Sequence, residues 1–293
     1  CPSLSLKSLN RRPPHVEGQL ISNYCILNVL KGARDAYLMH PQWSEFYSIE
    51  EIEVPREGQC GDNVFYELAE DGLLTISGNG KMYDYNEWDE SLFYGVENIK
   101  KIIIKGNVTK IGRYTFCNCS SLATLIIPNS VTKIEASAFR WCSSLISITI
   151  PDSVTKIGEY AFYYCSSLTS IVIANSVTEI GESAFEGCSS LISITIPNSV
   201  AKIGEYAFRN CSSLSSIVLS HIPPQTKVLT CDYKKCALYI PKGTKQIYLD
   251  HAEWGKFNNI VEIDGISGNN IVYNFENNGT LLLSGYGAMS DDW

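Results

Sequence analysis

The hydrophobic positions of this chain recur every 23 residues through its central part. Three residue types keep this interval in five successive blocks: Phe116, Phe139, Phe162, Phe185 and Phe208; Cys119, Cys142, Cys165, Cys188 and Cys211; Leu122, Leu145, Leu168, Leu191 and Leu214. The shared block reads L-x-x-I-x-I-P-x-S-V-T-x-I-G-x-x-A-F-x-x-C-S-S, and it holds from residue 99 to residue 213. A fixed period of this length predicts a solenoid, because one coil cannot bury its own apolar side but stacked coils share a continuous core.

Within one block, a stretch of alternating polar and apolar positions is followed by residues that predict a turn of the chain. Ile148 and Ile150 alternate with Ser147 and Thr149, which is the period of a short strand with one buried face. Pro151 ends that strand because it has no N–H to donate to a neighbour. The Ala-Phe pair then predicts a short helical or 3₁₀ turn on the far side of the coil. The expected fold class is therefore an α/β solenoid whose six short strands form one parallel sheet.

The block I-x-I-P-x-S-V-T-x-I-G-x-x-A-F-x-x-C-S-S-L, as it stands at 148–168, resembles the BspA-type class of leucine-rich repeats. The resemblance covers 99–219. It extends to the preceding C-G-D-N-V-F-Y-E-L and L-L-T-I-S-G, which alternate like a β-hairpin. It implies a right-handed leucine-rich-repeat coil of short parallel strands with β-hairpin cap segments. Members of that class are mostly exported or cell-surface proteins of bacteria and mucosal protist parasites, implicated in adhesion and host-protein binding. The resemblance thus implies an extracellular or cell-surface location.

A longer repeat lies outside the 23-residue one. Residues 37–52 align without gaps with residues 248–263 at an offset of 211, and residues 72–82 align with 279–289 at an offset of 207. These offsets predict one module flanked by parts of two others, as in a fragment of a tandem array. The predicted division is 1–53, the last coil and closing segment of a preceding module; 54–95, a β-rich opening cap; 96–222, the repeats; 223–264, a closing cap; and 265–293, the truncated start of a following cap.

Charge and motifs narrow the function classes. The net charge is -8, which argues against nucleic-acid binding because phosphate contacts need clustered Lys and Arg. No apolar run approaches the roughly 20 residues that span a bilayer. G-x-S-x-G, H-E-x-x-H and P-loop motifs are absent from the sequence, so we expect no enzyme activity, cofactor or metal. His40 and His251 occupy the same place in two modules, which favours a scaffold role over a catalytic base.

The chain has 11 cysteines, a high number for its length and an odd one, so they cannot all pair within the chain. A zinc site needs four ligands converging on one point, whereas the 23-residue period sets the thiols in a row. The pattern therefore favours a column of buried small apolar side chains. Cys231 and Cys236 stand five residues apart in the closing cap, and both a disulfide and two free thiols fit that spacing.

The first candidate binding surface is the outward side of the strands, expected to be the concave face. Its positions are Thr124, Ile126, Ser147, Thr149, Ser170, Val172, Ser193, Thr195, Ser216 and Val218. These side chains are small, uncharged and lightly apolar, so they cost little to desolvate and suit an extended segment of a partner. The alternative is a spacer whose face binds nothing.

The second candidate is an aromatic patch of Trp141, Tyr163 and Tyr164. These residues stand at variable positions just before Cys142 and Cys165 of the cysteine column. Such residues are frequent interface anchors, and they also pack flat on a coil edge. The predicted function is non-enzymatic binding to an extracellular or host protein, including adhesion. The alternatives are a structural spacer in a tandem surface array and a carbohydrate-binding module. Open strand edges at both ends favour end-to-end self-association.

Overall fold

A computed structural model describes residues 5–8, 13, 25–87, 89–267, 271–275 and 281–285. Cys1 matches Cys211 at an offset of 210, which predicts that Cys1 belongs to the cysteine column of an earlier module, and this residue lies outside the described ones. The strands are β1 (Ser5–Ser8), β2 (Ile26–Leu30), β3 (Ser48–Ile52), β4 (Glu57–Gly61), β5 (Val64–Leu68), β6 (Leu73–Lys81), β7 (Lys101–Ile104), β8 (Asn107–Ile111), β9 (Thr124–Ile126), β10 (Lys133–Ile134), β11 (Ser147–Ile150), β12 (Lys156–Ile157), β13 (Ser170–Ile173), β14 (Glu179–Ile180), β15 (Ser193–Ile196), β16 (Lys202–Ile203), β17 (Ser216–Leu219), β18 (Ala237–Pro241), β19 (Asn259–Ile263), β20 (Gly265–Ser267), β21 (Ile271–Phe275) and β22 (Leu281–Gly285). The helices in the described residues are α1 (Arg34–Leu38), α2 (Lys245–Leu249) and a 3₁₀ turn (Trp254–Lys256).

The predicted solenoid is confirmed, and its coils are joined by three backbone ladders. The first ladder pairs the longer strands in parallel, and within the repeats the partners are 23 residues apart, as in Ser147 with Ser170. It is divided into three sheets, β6-β7-β9, β11-β13 and β15-β17-β18-β19, so the expectation of one continuous sheet is wrong. The hydrogen bonds at the two divisions are long, 3.4 Å from Ile146 N to Ala123 O and 3.5 Å from Ile192 N to Thr169 O. The equivalent bond within a sheet, from Thr169 N to Ile146 O, is 2.9 Å.

A second sheet, which the sequence pattern did not predict, runs along another side of the coil. Its strands are β8, β10, β12, β14 and β16, and β6 links it to β5 and β4. The strands β4-β5-β6 are here called the opening hairpin. From β10 to β16 each coil contributes only two residues, such as Lys156-Ile157, with the isoleucine buried. Two residues are too few to show a strand's alternation in sequence. The isoleucine of each pair therefore belongs both to the core and to a strand, at Ile134, Ile157, Ile180 and Ile203.

The third ladder replaces the predicted helical or 3₁₀ turn, and this corrects the α/β class to a β-solenoid. Two residues per coil have positive φ: Tyr114, Asn118, Ser137, Trp141, Tyr160, Tyr164, Ser183, Gly187, Tyr206 and Asn210. Residues with left-handed backbone conformation interrupt a helix, so the N–H groups of this segment donate to carbonyl groups of the next coil instead. Phe139 N donates to Ala161 O at 2.9 Å, and Trp141 N donates to Tyr163 O at 2.7 Å. The two α-helices of the described residues lie outside the coils, one in each closing segment.

Stacked phenylalanine rings form the centre of the core. Phe93, Phe116, Phe139, Phe162, Phe185 and Phe208 follow one another with ring centroids 5.4 to 6.0 Å apart. All six side chains are fully buried. Phe93 lies in the segment predicted to be the opening cap, so the aromatic stack begins before the predicted start of the repeats at residue 96. Each ring packs against the rings of the coils on either side, which ties the coils to one spacing.

The cysteine column is buried, as predicted, and each thiol also has a polar role. Cys165 Sγ donates to Phe139 O at 3.3 Å, and Cys142 Sγ donates to Phe116 O at 3.3 Å. The same bond recurs at Cys119, Cys188 and Cys211. Cysteine suits this position because it is a small apolar side chain that also satisfies a carbonyl of the preceding coil. All ten described cysteines are free thiols, including Cys231 and Cys236.

We expect the thiols of the cysteine column to resist alkylation in the folded protein. Burial raises the pKa of Cys142 and Cys165, and the thiolate is the nucleophile that reacts. With iodoacetamide near pH 8, peptide mass spectrometry is expected to find Cys165 unlabelled in the native protein and fully labelled in guanidinium chloride. Rapid native labelling of Cys165 would contradict the buried column.

The two closing segments repeat one another in structure. In β1-β2-β3 and in β17-β18-β19 the strands are parallel, and Leu27 pairs with Ile49 as Leu238 pairs with Ile260. The hairpin β20-β21-β22 likewise repeats the pairing of β4-β5-β6. The duplicated pieces agree with the sequence offsets, while the division into modules stays a prediction.

The two equivalent histidines support their turns. His40 Nδ1 accepts the N–H of Gln42 at 3.3 Å, and His251 Nδ1 accepts the N–H of Glu253 at 3.2 Å. Each stands close in sequence to a buried tryptophan, Trp43 or Trp254. The same bond in both segments agrees with the predicted scaffold role.

Candidate binding surfaces

The ten outward strand positions are here called the strand face. Strand alternation builds it: Ile148 and Ile150 point into the core, so Ser147 and Thr149 point away from it. The same alternation recurs one coil later, where Ile171 is buried and Ser170 is exposed. The face therefore presents one row of hydroxyls and methyl groups per coil.

Exposure changes along the strand face. Thr124, Ile126, Ser147, Thr149 and Ser170 are exposed, and Val172, Thr195 and Ser216 are half-buried. Ser193 and Val218 are only 4% and 2% exposed. These two were predicted to line an open surface, and they offer none in this structure.

The burial of Val218 has a local cause. Val218 packs with Ile263, and Tyr239 and Val261 pack against this pair. The outward side of β17-β18-β19 is therefore an apolar cluster of its own. A repeat consensus cannot show this, because three of the four residues belong to the closing segment.

The strand face also continues onto the opening hairpin, whose residues were not among the ten positions predicted from the sequence. Ile126 pairs with Ile103, and Ile103 pairs with Thr75. Beyond them Phe65, half-exposed, pairs with Ser77. A groove of about 500 Å³ lies here, with Phe65, Thr75 and Ser77 in its lining. The open part of the face is thus its N-terminal part.

The aromatic patch does come together, but through a residue that the sequence reading missed. Tyr163 and Tyr164 have ring centroids 4.6 Å apart. Trp141 joins them through Arg140, whose guanidinium carbon lies 4.1 Å from the Trp141 ring centroid and 4.6 Å from that of Tyr163. A third ring, that of Tyr160, has its centroid 5.7 Å from the same guanidinium carbon. Arg140 and Tyr163 are 23 residues apart, so reading the variable columns by the same period was the signal that could have found this pair.

Tyr164 lies on the backbone of the next coil. A Cβ added to Gly187 would come within 2.6 to 2.8 Å of three Tyr164 ring atoms. The ring therefore needs glycine beneath it, and it remains 40% exposed. Packing against the coil edge and presenting a surface, the two alternatives for this patch, are both observed for Tyr164.

Carboxylates surround the patch without pairing with Arg140. The Tyr160 hydroxyl donates to Glu182 at 2.8 Å, and this hydrogen bond, together with burial, raises the pKa of Tyr160 to about 12. Glu186 is buried, accepts the Ser183 hydroxyl at 2.8 Å and lies 3.7 Å from Arg209. The phenol is therefore neutral at physiological pH, and Glu182 and Glu186 both have partners within the protein.

Within the described ranges, no group of three or more His, Cys, Asp or Glu side chains is placed to hold a metal ion. In the same residues no helix has both the length and the apolar character to cross a membrane.

The family model described as "BspA type Leucine rich repeat region" matches residues 86–215 in six copies. Residues 86–215 are therefore BspA-type leucine-rich repeats. Repeats of this family support a protein-binding repeat module, and the family is generally non-enzymatic. The match begins before residue 96, in agreement with the early start of the phenylalanine stack.

Solved structures similar to this chain include three leucine-rich repeat proteins. A leucine-rich cell surface protein from Faecalibacterium prausnitzii is 26% identical, with 64% of this chain and 71% of that chain covered and a TM-score of 0.44. A T. pallidum leucine-rich repeat protein is 24% identical over 65% and 95%, with a TM-score of 0.45. One from Bacteroides ovatus is 23% identical over 62% and 64%, with a TM-score of 0.39. Comparison with curated proteins finds no significant match.

Proposed function

We propose that this chain is a non-enzymatic binding module of a secreted or cell-surface protein, and that the strand face binds an extracellular or host protein, including in adhesion. The observation that carries the proposal is the exposed, uncharged row from Thr124 to Ser170. A partner covering that row displaces water from methyl groups and hydroxyls without stripping any charge of its solvent.

The shape of the row favours an extended segment of the partner. Ile126 is 46% exposed and Ile146, beside the row, is 54% exposed, so two apolar anchors flank the hydroxyls. The side chains between them are short, which leaves room for a backbone to approach closely. Serine and threonine hydroxyls both donate and accept, so they can pair with a partner's N–H and C=O groups.

A structural spacer in a tandem surface array is the alternative. It is favoured by the duplicated closing segments and hairpins, because a repeated scaffold needs no specific ligand. The two duplications also support the proposed module boundaries at 53, 95, 222 and 264. End-to-end self-association through open strand edges belongs to the same proposal. Sedimentation showing a strict monomer at high concentration would count against that part.

Binding to the strand face is expected to disappear when Ser170 and Val172 are both changed to lysine. The probes are immobilised extracellular proteins and a displayed library of linear peptides. Two charges desolvated at the end of the exposed row, where it meets the half-buried part of the face, should weaken any selected ligand at least about tenfold, or about 1.4 kcal/mol. Surface plasmon resonance measures the loss, and thermal unfolding checks that the fold is intact.

The matched control carries the same charge change away from the face, in Asn175→Lys with Asn198→Lys. Both asparagines are exposed. This control should bind as the unmodified protein does. If neither probe set yields a ligand, or if the Ser170 and Val172 double variant keeps full affinity, the spacer becomes the better explanation.

A further inference from the structure

The residues around Arg140 form a second site on a different side of the coil from the strand face. The third ladder places them, because Trp141 N donates to Tyr163 O and so sets the two coils side by side. Arg140 and Tyr163 then occupy the same position in successive coils. The site therefore depends on no strand-face residue and stands apart from the proposed protein-binding function.

Arg140 is held by aromatic rings rather than by a carboxylate. Its guanidinium lies over Trp141 and Tyr163 and within reach of Tyr160. It makes no ion pair with any described residue, and its buried Nε has no hydrogen-bond partner there. Ring faces attract a cation but accept none of its N–H bonds in the way an oxygen does. The terminal N–H groups of this positioned guanidinium are thus left for an external anion, whereas the buried Nε is out of a ligand's reach.

Arg209 lies three coils further along the same column, directly after Glu186, and it shows the contrast. Its Nε lies 3.7 Å from Glu186, and its guanidinium lies 5.4 Å from Tyr206. Arg209 therefore has a carboxylate partner within the protein. The two arginines share a column but differ in whether their charge is already paired.

Tyr164 supplies a flat platform beside the guanidinium. One ring face rests on Gly187, and 40% of the residue is exposed. The Tyr163 ring centroid lies 4.6 Å from that of Tyr164 and 4.6 Å from the Arg140 guanidinium carbon. A ligand about one sugar ring wide can therefore contact both the cation and the platform. Aromatic faces carry negative potential and attract the polarised C–H groups of a sugar.

The surroundings select a small ligand with a single negative charge. Glu182 lies against Tyr160, Glu186 lies next to Tyr163 in the column, and the whole chain carries a net charge of -8. A polyanion would be repelled, whereas one carboxylate can pair with one guanidinium. A peptide is disfavoured, because the backbone N–H groups of Trp141 and Tyr164 already donate to the next coil. Extended peptides gain affinity from such main-chain bonds.

We infer that Arg140, Tyr163 and Tyr164 bind an acidic saccharide, with its carboxylate on Arg140 and its ring on the tyrosine platform. Trp141 and Tyr160 are positioning residues that hold the guanidinium. Recognition is by charge and stacking, so affinity falls as salt rises. A neutral sugar keeps only the stacking contact and binds more weakly.

The test uses 3′-sialyllactose as the acidic probe, lactose as the neutral probe and a short glutamate-containing peptide, each titrated by calorimetry and saturation-transfer NMR. Sialyllactose is expected to bind with Kd on the order of 1 mM, at least about tenfold tighter than lactose. Arg140→Gln should remove this preference, and Tyr164→Ala should weaken binding of both sugars. The second variant replaces an exposed ring, so it is expected to fold even if the first does not.

Arg209→Gln is the matched control and should bind sialyllactose unchanged, as should the strand-face double lysine variant. The inference is overturned if sialyllactose binds no tighter than lactose up to about 10 mM. It is equally overturned if Arg140→Gln retains the preference, or if the peptide binds more tightly than the acidic sugar. Because the strand-face variant is included, failure here is distinguishable from failure of the proposed protein-binding function.

Discussion

Phe162→Ala is expected to lower the free energy of unfolding by about 3 to 5 kcal/mol, the range for truncating a buried phenylalanine. Phe162 is fully buried and stacks 5.4 Å from Phe139 and 5.6 Å from Phe185. Removing the ring leaves a cavity between two coils and breaks two ring contacts. The backbone on all three sides of the coil is tied to its neighbours, so it cannot collapse far into the space.

Urea unfolding followed by circular dichroism measures the effect, with native-state hydrogen exchange to show whether coils near Phe162 open first. Phe65→Ala is the matched control, since the same ring is removed from a residue that is half-exposed. The control should cost no more than about 1 kcal/mol. Equal losses in the two variants would mean that the phenylalanine stack does not organise the core.

Glu253→Ala is expected to cost about 1 to 3 kcal/mol, because the buried N–H of Leu229 loses its acceptor while the Tyr233 hydroxyl can still donate to Leu229 O. Glu253 accepts Leu229 N at 3.0 Å and the Tyr233 hydroxyl at 3.0 Å, and it pairs with Lys256. Its side chain is only 9% exposed. The carboxylate thus connects the loop before β18 to the 3₁₀ turn of the closing segment. Chemical denaturation checks the loss, with the exposed Glu159→Ala as a control expected to change stability by less than about 0.5 kcal/mol.

The same residue makes stability depend on pH. Burial opposes the charge of Glu253, but the hydrogen bonds from Lys256, Leu229 and Tyr233 outweigh it and lower the pKa below the ordinary value of 4.5. A lowered folded pKa means that this contribution is fully present above about pH 4.5 and is lost as the pH falls through the folded pKa. Glu253→Gln keeps an acceptor but cannot titrate. Its unfolding free energy should therefore vary less with pH below 4.5 than that of the unmodified protein, and an identical pH profile would contradict this role.

The periodic core could be predicted from the sequence, while the geometry of the turns could not. Each column from Phe116 or Cys119 onward repeats one apolar requirement, and burial makes that requirement visible. The third ladder is hidden because its left-handed positions hold tyrosine, serine, tryptophan and asparagine rather than a run of glycines. The second sheet is hidden because most of its strands are two residues long.

The candidate surfaces divide in the same way. Strand alternation correctly turned Ser147 and Thr149 outward, because alternation is a local property of an extended backbone. It could not show that Val218 is covered, since the covering residues Tyr239, Val261 and Ile263 come from the closing segment. It could not show the Arg140 cluster either, because its contacts join neighbouring coils at variable positions.

By itself, the sequence determined the solenoid, its 23-residue pitch and the residues that fill its core. These follow from one physical requirement, that every coil must bury the same apolar columns against its neighbours. Only the tertiary structure decided which part of the strand face is open and that the Arg140 guanidinium lies over the Trp141 and Tyr163 rings. Exposure and contact at the surface depend on which residues the adjacent coil and the flanking segments place beside a given residue. Surface positions are under no repeating requirement for burial, so the sequence pattern does not show these contacts.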